Sequence, residues 1–117
     1  MNGAVADLKD FLNTTIMDTY KGSFEALLYI KTLYRSSKSL PVWAGETASG
    51  YNGGSVNLSN AFAGGFIFLD KLGLSARYGL DGVVRQQIFD GAGSHYGLLD
   101  STMRPNPVDL RCFFFKR

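Results

Sequence analysis

The chain has 117 residues, of which 45% are hydrophobic and 19% are charged, a balance typical of a globular segment and not of a disordered one. Its 12 basic and 10 acidic residues give a net charge of +2, which is too small for a polybasic surface, so we expect no nucleic-acid partner. The single cysteine, Cys112, excludes an internal disulfide and a cysteine-based metal site. Because there is also only one histidine, we predict neither a metal nor a cofactor.

Targeting signals are sparse. Residues 1–4 lack the basic and then apolar opening of a signal peptide, and no apolar run reaches the ~18 residues of a membrane span. Asn13 and Asn57 each begin an Asn-x-Ser/Thr triplet, which makes both asparagines candidate glycosylation sites. These triplets hint at a secretory route.

The first half of the chain predicts a helix, a strand and a second helix. Apolar residues at helical spacing indicate a helix from Tyr20 to Tyr34. The short apolar run from Leu40 to Gly45 is bounded by breakers and predicts a buried strand. The second helix is expected to begin at a cap, Asn57 or Ser59, and to end at Gly73.

The second half continues the alternation. Leu80 to Phe89 predicts another strand, a glycine-rich loop covers 90–97, and Val108 to Arg117 predicts a last helix after two prolines. Helices that alternate with strands indicate an α/β protein with a parallel sheet. Such a sheet must be covered on both faces, which two strands cannot support. We therefore expect a piece of a larger domain, about a third of a barrel of ~250 residues.

Glu46 is the first candidate for chemistry. It follows the apolar run directly and precedes a glycine-rich stretch, residues 50–54. The carboxyl ends of barrel strands carry the catalytic groups, so a carboxylate here could attack an anomeric carbon and stabilise oxocarbenium-like charge. Trp43 can form an apolar wall nearby, and the loop can direct backbone N–H groups at an oxygen-rich ligand. The alternative is an ordinary solvated loop residue.

The other candidates have strong structural alternatives. The G-x-G pattern in loop 90–97 does not match a dinucleotide fingerprint, because the third glycine is one place late and no helix follows at once. A flexible rim loop that presents Tyr96 fits better. His95 is expected to be an exposed loop residue, and no serine lies in a nucleophile-elbow pattern. Arg85 is as well explained by a structural role as by ligand contact, whereas Gln86 favours the ligand.

Two segments carry a resemblance to a known family. Residues 43–51 (Trp-Ala-Gly-Glu-Thr-Ala-Ser-Gly-Tyr) and residues 68–77 (Phe-Leu-Asp-Lys-Leu-Gly-Leu-Ser-Ala-Arg) resemble the heparanase branch of glycoside hydrolase family 79. Further matches lie at 84–86 and 91–98 and near both ends. The resemblance implies a partial (β/α)8 TIM barrel, with 1–117 as its carboxyl-side third and roughly the last two strand-helix units.

The resemblance also implies an activity and a set of site residues. The activity is that of a retaining endo-β-glucuronidase which cleaves heparan sulfate, in a secreted, lysosomal or membrane-associated protein. Glu46 matches the nucleophile. The substrate-binding positions are matched by Tyr51, Gly53, Gln86, Gly93 and Tyr96.

This chain departs from the family pattern in two ways that bear on function. Asn52, also placed in the substrate loop, stands where the family usually has glycine. The family's general acid/base glutamate and its basic heparin-binding segments lie upstream of Met1, so the upstream part of the same barrel is an expected partner. Three hypotheses follow: part of an active enzyme, a heparan sulfate-binding protein without activity, or a truncated product that is inactive alone.

Overall fold

The computed structural model describes residues 1–34 and 40–108. Within them the chain forms three helices, a strand, a fourth helix and a second strand: α1 (Leu8–Phe11), α2 (Thr14–Met17), α3 (Thr19–Leu33), β1 (Trp43–Thr47), α4 (Phe62–Arg77) and β2 (Gly82–Arg85). The predicted mixture of helices and strands is confirmed over this part of the chain. The helix predicted from Val108 to Arg117 lies outside the described residues except for Val108.

Sequence periodicity gave no sign of α1 and α2, because four residues are too few to show it. Side-chain capping defines them instead. The Asp7 carboxylate accepts hydrogen bonds from the backbone N–H groups of Lys9 (2.8 Å) and Asp10 (3.2 Å), and the Asp7 N–H donates to the Asp10 carboxylate at 3.0 Å. Asn13 caps α2 by accepting from the N–H of Thr15 at 2.9 Å.

The predicted first helix is confirmed to within one residue as α3. Phe24 is its one buried residue, and its ring lies 6.1 Å from that of Tyr78, the residue that ends α4. The remaining apolar positions of α3 are largely exposed, among them Leu27 and Ile30. The helix therefore packs along one edge only and leaves an apolar face uncovered by the described residues.

Both predicted ends of the second helix are wrong. Ser59 caps nothing, since its hydroxyl is buried in the preceding loop, and α4 begins at Phe62 after the extended residue Ala61. Gly73 lies inside the helix. The stop comes at Gly79, which has a φ of +71° and closes a Schellman motif in which the next N–H, that of Leu80, bonds to the Ser75 carbonyl at 2.9 Å.

The two strands pair in parallel, as predicted, but their predicted bounds are wrong. Strand β1 begins three residues later than expected, contains Glu46 and is mostly exposed instead of buried, and β2 has four residues instead of ten. Trp43 lies opposite Gly82 and Ala44 opposite Val83, and the register then shifts before Thr47 meets Arg85. Two residues of β1 thus oppose one residue of β2, which defines a β-bulge near the carboxyl ends of the strands. Helix α4 connects the strands and packs against β2.

The core is small and aromatic. Helix α1 packs on α4, and the buried apolar side chains come from helices α1, α3 and α4 and from the loop after β2: Phe11, Phe24, Ile67, Phe68, Leu74, Tyr96 and Val108. Polar side chains fill much of the remaining interior, Lys71 and Ser59 among them.

Phe11 provides a test of this packing. Its ring is 0% exposed, whereas the neighbouring Leu12 is 55% exposed. We expect Phe11→Ala to lower the free energy of unfolding by about 3–5 kcal/mol, because it leaves a cavity between α1 and α4. Leu12→Ala is the matched control and should change stability by no more than about 0.5 kcal/mol. Urea unfolding would measure both, and equal effects would show that α1 is not part of the core.

Candidate active site

Glu46 lies in the bulge of β1, and its side chain is exposed. Its φ of +38° is in the left-handed region that residues other than glycine rarely adopt. Bulges redirect side chains and are frequent beside active sites, and such strain persists only where the surroundings enforce it. The end of the strand is held on one side by the Gln86 N–H, which donates to the Thr47 carbonyl at 2.9 Å. Within the part of the chain that the structure describes, the Glu46 carboxylate has no hydrogen bond or ion pair, so the backbone sets its direction.

The first loop, residues 48–61, opens with an unusual backbone. Asn52, Gly53 and Gly54 have consecutive φ angles of +57°, +75° and +79°. Within the described residues, none of their three N–H groups donates a hydrogen bond. Successive free N–H groups in a turn form a surface that favours oxygen-rich or anionic groups. The structure thus contains the donors that the glycine-rich sequence predicted.

Buried hydroxyl groups hold the first loop in place. The Ser59 hydroxyl accepts from the Ser49 hydroxyl at 2.7 Å and from the Ser55 N–H at 2.8 Å. Ser55 in turn donates to the carbonyl of Gly3 at 2.6 Å. Since all three serines are buried, these bonds are shielded from water and the loop has a defined shape.

The first residues of the chain form part of the same loop system. Asn2 forms a parallel bridge with Tyr51, and the Gly3 N–H donates to the Tyr51 carbonyl at 2.9 Å. The Asn52 side-chain amide donates to the Asn2 side-chain oxygen at 3.1 Å. Asparagine tolerates a positive φ better than most residues, and here its side chain also fastens the loop to the beginning of the chain.

Asp90 organises the second loop, residues 86–108. One carboxylate oxygen accepts from the Gly97 N–H at 2.6 Å, and the other accepts from the amides of Asn106 (2.9 Å) and Asn60 (3.4 Å). Gln87 adds a side-chain bond to the Phe89 carbonyl at 2.5 Å and another to the Ser94 hydroxyl. These bonds fix both ends of the glycine-rich segment 90–97, while the prediction that the segment is flexible stays a prediction.

The two loops touch at glycines. The His95 N–H donates to the Gly53 carbonyl at 2.6 Å, and a Cβ on Gly53 would lie 2.3 Å from the Gly93 carbonyl oxygen. A Cβ on Gly54 would lie 2.8 Å from the ring of Tyr96. The fold therefore brings together most of the residues that the resemblance assigned to substrate binding.

Two cations lie beneath these loops. The Lys71 ammonium donates to the Ala48 carbonyl at 2.5 Å and lies 3.8 Å from the centre of the Tyr20 ring. The Arg85 guanidinium donates to the Tyr96 carbonyl at 2.9 Å and lies 4.5 Å from the centre of the Phe68 ring. Each cation thus fixes the backbone of one loop, and Arg85 has the structural position that the sequence allowed for.

Burial, and to a smaller extent the charge of Arg85, lowers the pKa of Lys71 to about 8. Lys71 is 4% exposed, and among the described residues no carboxylate lies within ion-pair distance of its ammonium. The neighbouring phenol of Tyr20 has its pKa raised by burial. The surroundings of Lys71 and Tyr20 are therefore poorly solvated and disfavour the charged form of both side chains.

The predicted site residues differ in exposure. Tyr51, Asn52 and Gly93 are exposed, and Gln86 is half-buried with its N–H bonded to β1. Tyr96 is 7% exposed, so its side chain does not project from a rim. Its backbone carbonyl accepts the hydrogen bond from Arg85. The roles assigned to these residues stay predictions, as do the glycosylation sites, although the Asn13 and Asn57 side chains are both exposed.

Sequence reasoning missed Lys71 and Asp90. A lysine in the middle of an amphipathic helix would normally point to solvent, and the helix pattern offers no signal for its burial. An aspartate at the start of a glycine-rich loop was a visible signal, because such residues often hydrogen-bond to nearby backbone N–H groups. Across residues 1–34 and 40–108 no three His, Cys, Asp or Glu side chains lie close enough together to hold a metal ion, and no helix is long and apolar enough to cross a membrane.

A carboxylate at the bulged end of a parallel strand, beside a loop with free N–H groups, is compatible with the chemistry of a glycoside hydrolase. Comparison with known proteins gives the same class. The model for glycosyl hydrolase family 79, N-terminal domain, matches residues 3–73, which include Glu46 and most of α4. The chain belongs to glycosyl hydrolase family 79, which confirms the resemblance.

Among the relatives, heparanase of Bos taurus is 46% identical over all 117 residues of the chain, which cover 21% of the relative. Hyaluronoglucuronidase of Hirudo nipponia is 39% identical over 109 residues, 91% of this chain and 21% of the relative. Inactive heparanase-2 of Homo sapiens is 31% identical over the whole chain and 19% of the relative. The chain thus spans about a fifth of the length of the relatives it matches.

The contact between the loops can be tested at Gly53. An alanine there would be strained by the positive φ and would collide with the Gly93 carbonyl, so we expect Gly53→Ala to cost at least about 1 kcal/mol of stability. Gly91→Ala is the matched control, because a Cβ on Gly91 meets nothing within 4 Å. Unfolding midpoints would compare the two variants. Equal midpoints would show that the loops do not touch.

The pKa of Lys71 predicts a dependence of stability on pH. In the unfolded chain this lysine returns to its ordinary pKa of 10.5, so the unfolded state binds the proton more tightly than the folded state. Charged Lys71 therefore opposes folding below pH 8, and the penalty decreases as the pH rises from about 8 to about 10.5. Between pH 7.5 and 9.5 we expect the unfolding free energy to gain about 2 kcal/mol relative to that of Lys71→Met. Urea titrations at both pH values would measure it, and parallel behaviour of the two proteins would contradict the prediction.

Proposed function

We propose that this chain is the carboxyl-side third of the TIM barrel of a retaining endo-β-glucuronidase that hydrolyses heparan sulfate, with Glu46 as its nucleophile. The observation that carries the proposal is the exposed Glu46 carboxylate, held in the bulge at the carboxyl edge of a parallel sheet. Parallel strands bring their carboxyl ends to one edge, and barrel enzymes place their reacting groups there.

The proposed chemistry needs a second carboxyl group. In retaining glycosidases one carboxylate attacks the anomeric carbon while an acid ~5 Å away protonates the leaving oxygen, and the same acid then activates water. The only other glutamate of this chain, Glu25, accepts a hydrogen bond from the Tyr78 hydroxyl at 2.9 Å on the outer helix α3. Both carboxylate oxygens of Asp90 are occupied by loop contacts. Following the resemblance to the family, we assign the acid/base residue to an upstream part of the same barrel.

The loops supply the proposed grip on the sugar. The free N–H groups of residues 52–54 suit hydroxyl or carboxylate oxygens, and Tyr51 lies exposed beside them. Gln86 is assigned to the cleft wall, and Gly93 with Tyr96 is assigned to the uronate carboxylate. The names of the heparanase and hyaluronoglucuronidase relatives both imply glycosaminoglycan substrates, which supports a uronate-containing polymer.

The uncovered surfaces support the assignment to a larger barrel. An apolar groove of about 370 Å³ runs between α3 and the start of β1, lined by Leu27, Ile30, Lys31, Tyr34, Leu40, Pro41, Val42 and Trp43. Trp43 is 59% exposed although it lies in a parallel strand, an element that is normally buried on both faces. The upstream part of the barrel is proposed to cover this region. We further propose a secreted, lysosomal or membrane-associated location, with Asn13 and Asn57 glycosylated.

A second candidate function is heparan sulfate binding without cleavage. The similarity to inactive heparanase-2 favours this function, because a protein named as inactive contains a segment that is 31% identical to the whole of this chain. The presence of Glu46 favours the enzyme. The isolated chain is expected to be inactive in either case, since loss of the acid/base alone costs ~10²–10⁴-fold in rate.

The decisive experiment replaces Glu46 in the full-length protein. Glu46→Gln removes the nucleophile and keeps the size of the side chain, so we expect turnover of heparan sulfate to fall at least about 10³-fold with binding retained. Glu25→Gln is the matched control and should be active. Reducing-end release and affinity for a heparan sulfate oligosaccharide would be measured together.

Different outcomes separate the candidates. Normal turnover by Glu46→Gln would show that Glu46 is not the nucleophile. Binding without turnover by the unmodified protein would establish the non-catalytic function.

A further inference from the structure

Lys71 is a buried cation that the proposed mechanism does not use. It lies in the middle of α4, is 4% exposed, and reaches across to the first loop, where its ammonium donates to the Ala48 carbonyl at 2.5 Å. The ring of Tyr20, from α3, lies 3.8 Å from the same nitrogen. A helix, a second helix and a loop therefore converge on one charged atom.

A gain in folding stability does not explain why the ammonium of Lys71 is buried. Burial of an ammonium without a carboxylate partner opposes folding, and an apolar side chain of the same length often serves a protein core as well or better. The lowered pKa of Lys71 reports that cost. A residue that costs stability where it lies is one whose benefit should be sought in function.

The benefit lies in what Lys71 holds. Ala48 is two residues after Glu46, whose φ of +38° needs support from its surroundings. Within the described residues, two hydrogen bonds hold the backbone carbonyls that directly follow Glu46. The Gln86 N–H donates to the Thr47 carbonyl, and the Lys71 ammonium donates to the Ala48 carbonyl. A charge-assisted bond fixes a peptide plane more firmly than a neutral one does.

We propose that Lys71 is a positioning residue, which holds the Ala48 carbonyl and thereby keeps the bulge of β1 in the conformation that aims the Glu46 carboxylate. The catalytic part of this inference rests on the proposed function. The structural part, that the ammonium orders residues 46–54, stands independently of it.

The test uses the full-length protein with Lys71→Met, which keeps the chain length and removes the ammonium. We expect faster hydrogen exchange at the hydrogen-bonded amides of Tyr51, Ser55 and Gln86, and a loss of kcat of roughly 10- to 100-fold, with KM changed less than about 3-fold. Lys71→Arg retains a charged donor and should restore part of both. Lys21→Met is the matched control, because Lys21 pairs with Asp18 at the surface (2.8 Å) and should affect neither.

The two readouts separate this inference from the proposed function. Unchanged exchange in a folded Lys71→Met protein would overturn the inference, whatever the activity. Faster exchange in a protein that never cleaves heparan sulfate would support the positioning role and refute the enzymatic proposal. Faster exchange with unchanged kcat would overturn the catalytic part of the inference.

A measurement without substitution covers the case in which Lys71→Met fails to fold. Exchange of the same amides, corrected for intrinsic rates, would be followed in the unmodified protein from pH 6 to pH 9.5. The groups that face Lys71 are Tyr20 from α3 and Arg85 from β2, with Asp70 next to it on α4, and burial keeps Tyr20 neutral over this range. Opening of this segment releases Lys71 to solvent, where its pKa returns to 10.5, so loss of its proton above pH 8 favours the closed state and should raise the protection of these amides. Constant protection across this range would overturn the inference.

Discussion

The parallel pairing of β1 with β2 determines where everything else in this structure can lie. Two strands that run in the same direction end at the same edge, so the loops that follow them emerge side by side although the 16-residue helix α4 separates the strands in sequence. The bulge at this edge places two residues of β1 against one of β2 and turns Glu46 out of the regular pleat. The exposed Glu46 carboxylate and the two neighbouring loops thus owe their positions to one hydrogen-bonded ladder and one irregularity in it.

Polar contacts then give the edge its shape. Buried serines close the first loop, Asp90 closes the second, and two cations on aromatic rings tie each loop to the layer beneath. Most of these contacts lie in the buried or half-buried interior beneath the loops. Across residues 1–34 and 40–108, the N–H groups of residues 52–54 donate no hydrogen bond and the Glu46 carboxylate forms no ion pair, which leaves both open to a ligand.

Much of this could be predicted from the sequence, for physical reasons that are easy to state. Apolar spacing located α3 to within one residue. A short apolar run predicted a strand near β1, but at residues 40–45 instead of 43–47, so that Glu46 lies inside the strand and not after it. The predictions were wrong where one local sequence pattern was compatible with two different structures. Gly73 and Gly79 are both glycines near a helix end, and only the second has the positive φ that ends a helix. Ser59 matches a cap in sequence but has its hydroxyl bonded inside the loop. The burial of Lys71 depends on Tyr20 and Ala48, which are remote in sequence, so no local pattern reveals it.

The closure of the first loop on the beginning of the chain has a consequence for how the site forms. Ser55 bonds to Gly3 across 52 residues, and Asn52 bonds to Asn2 across 50. Bringing such distant segments together requires loop-closure entropy to be overcome before the contacts can compensate, so these contacts form after local helices and turns. The positive φ angles of residues 52–54 are therefore fixed only once these long-range contacts have formed. In kinetic terms, the loop edge beside Glu46 is a late product of folding, and a chain can form its helices well before this edge has its final shape.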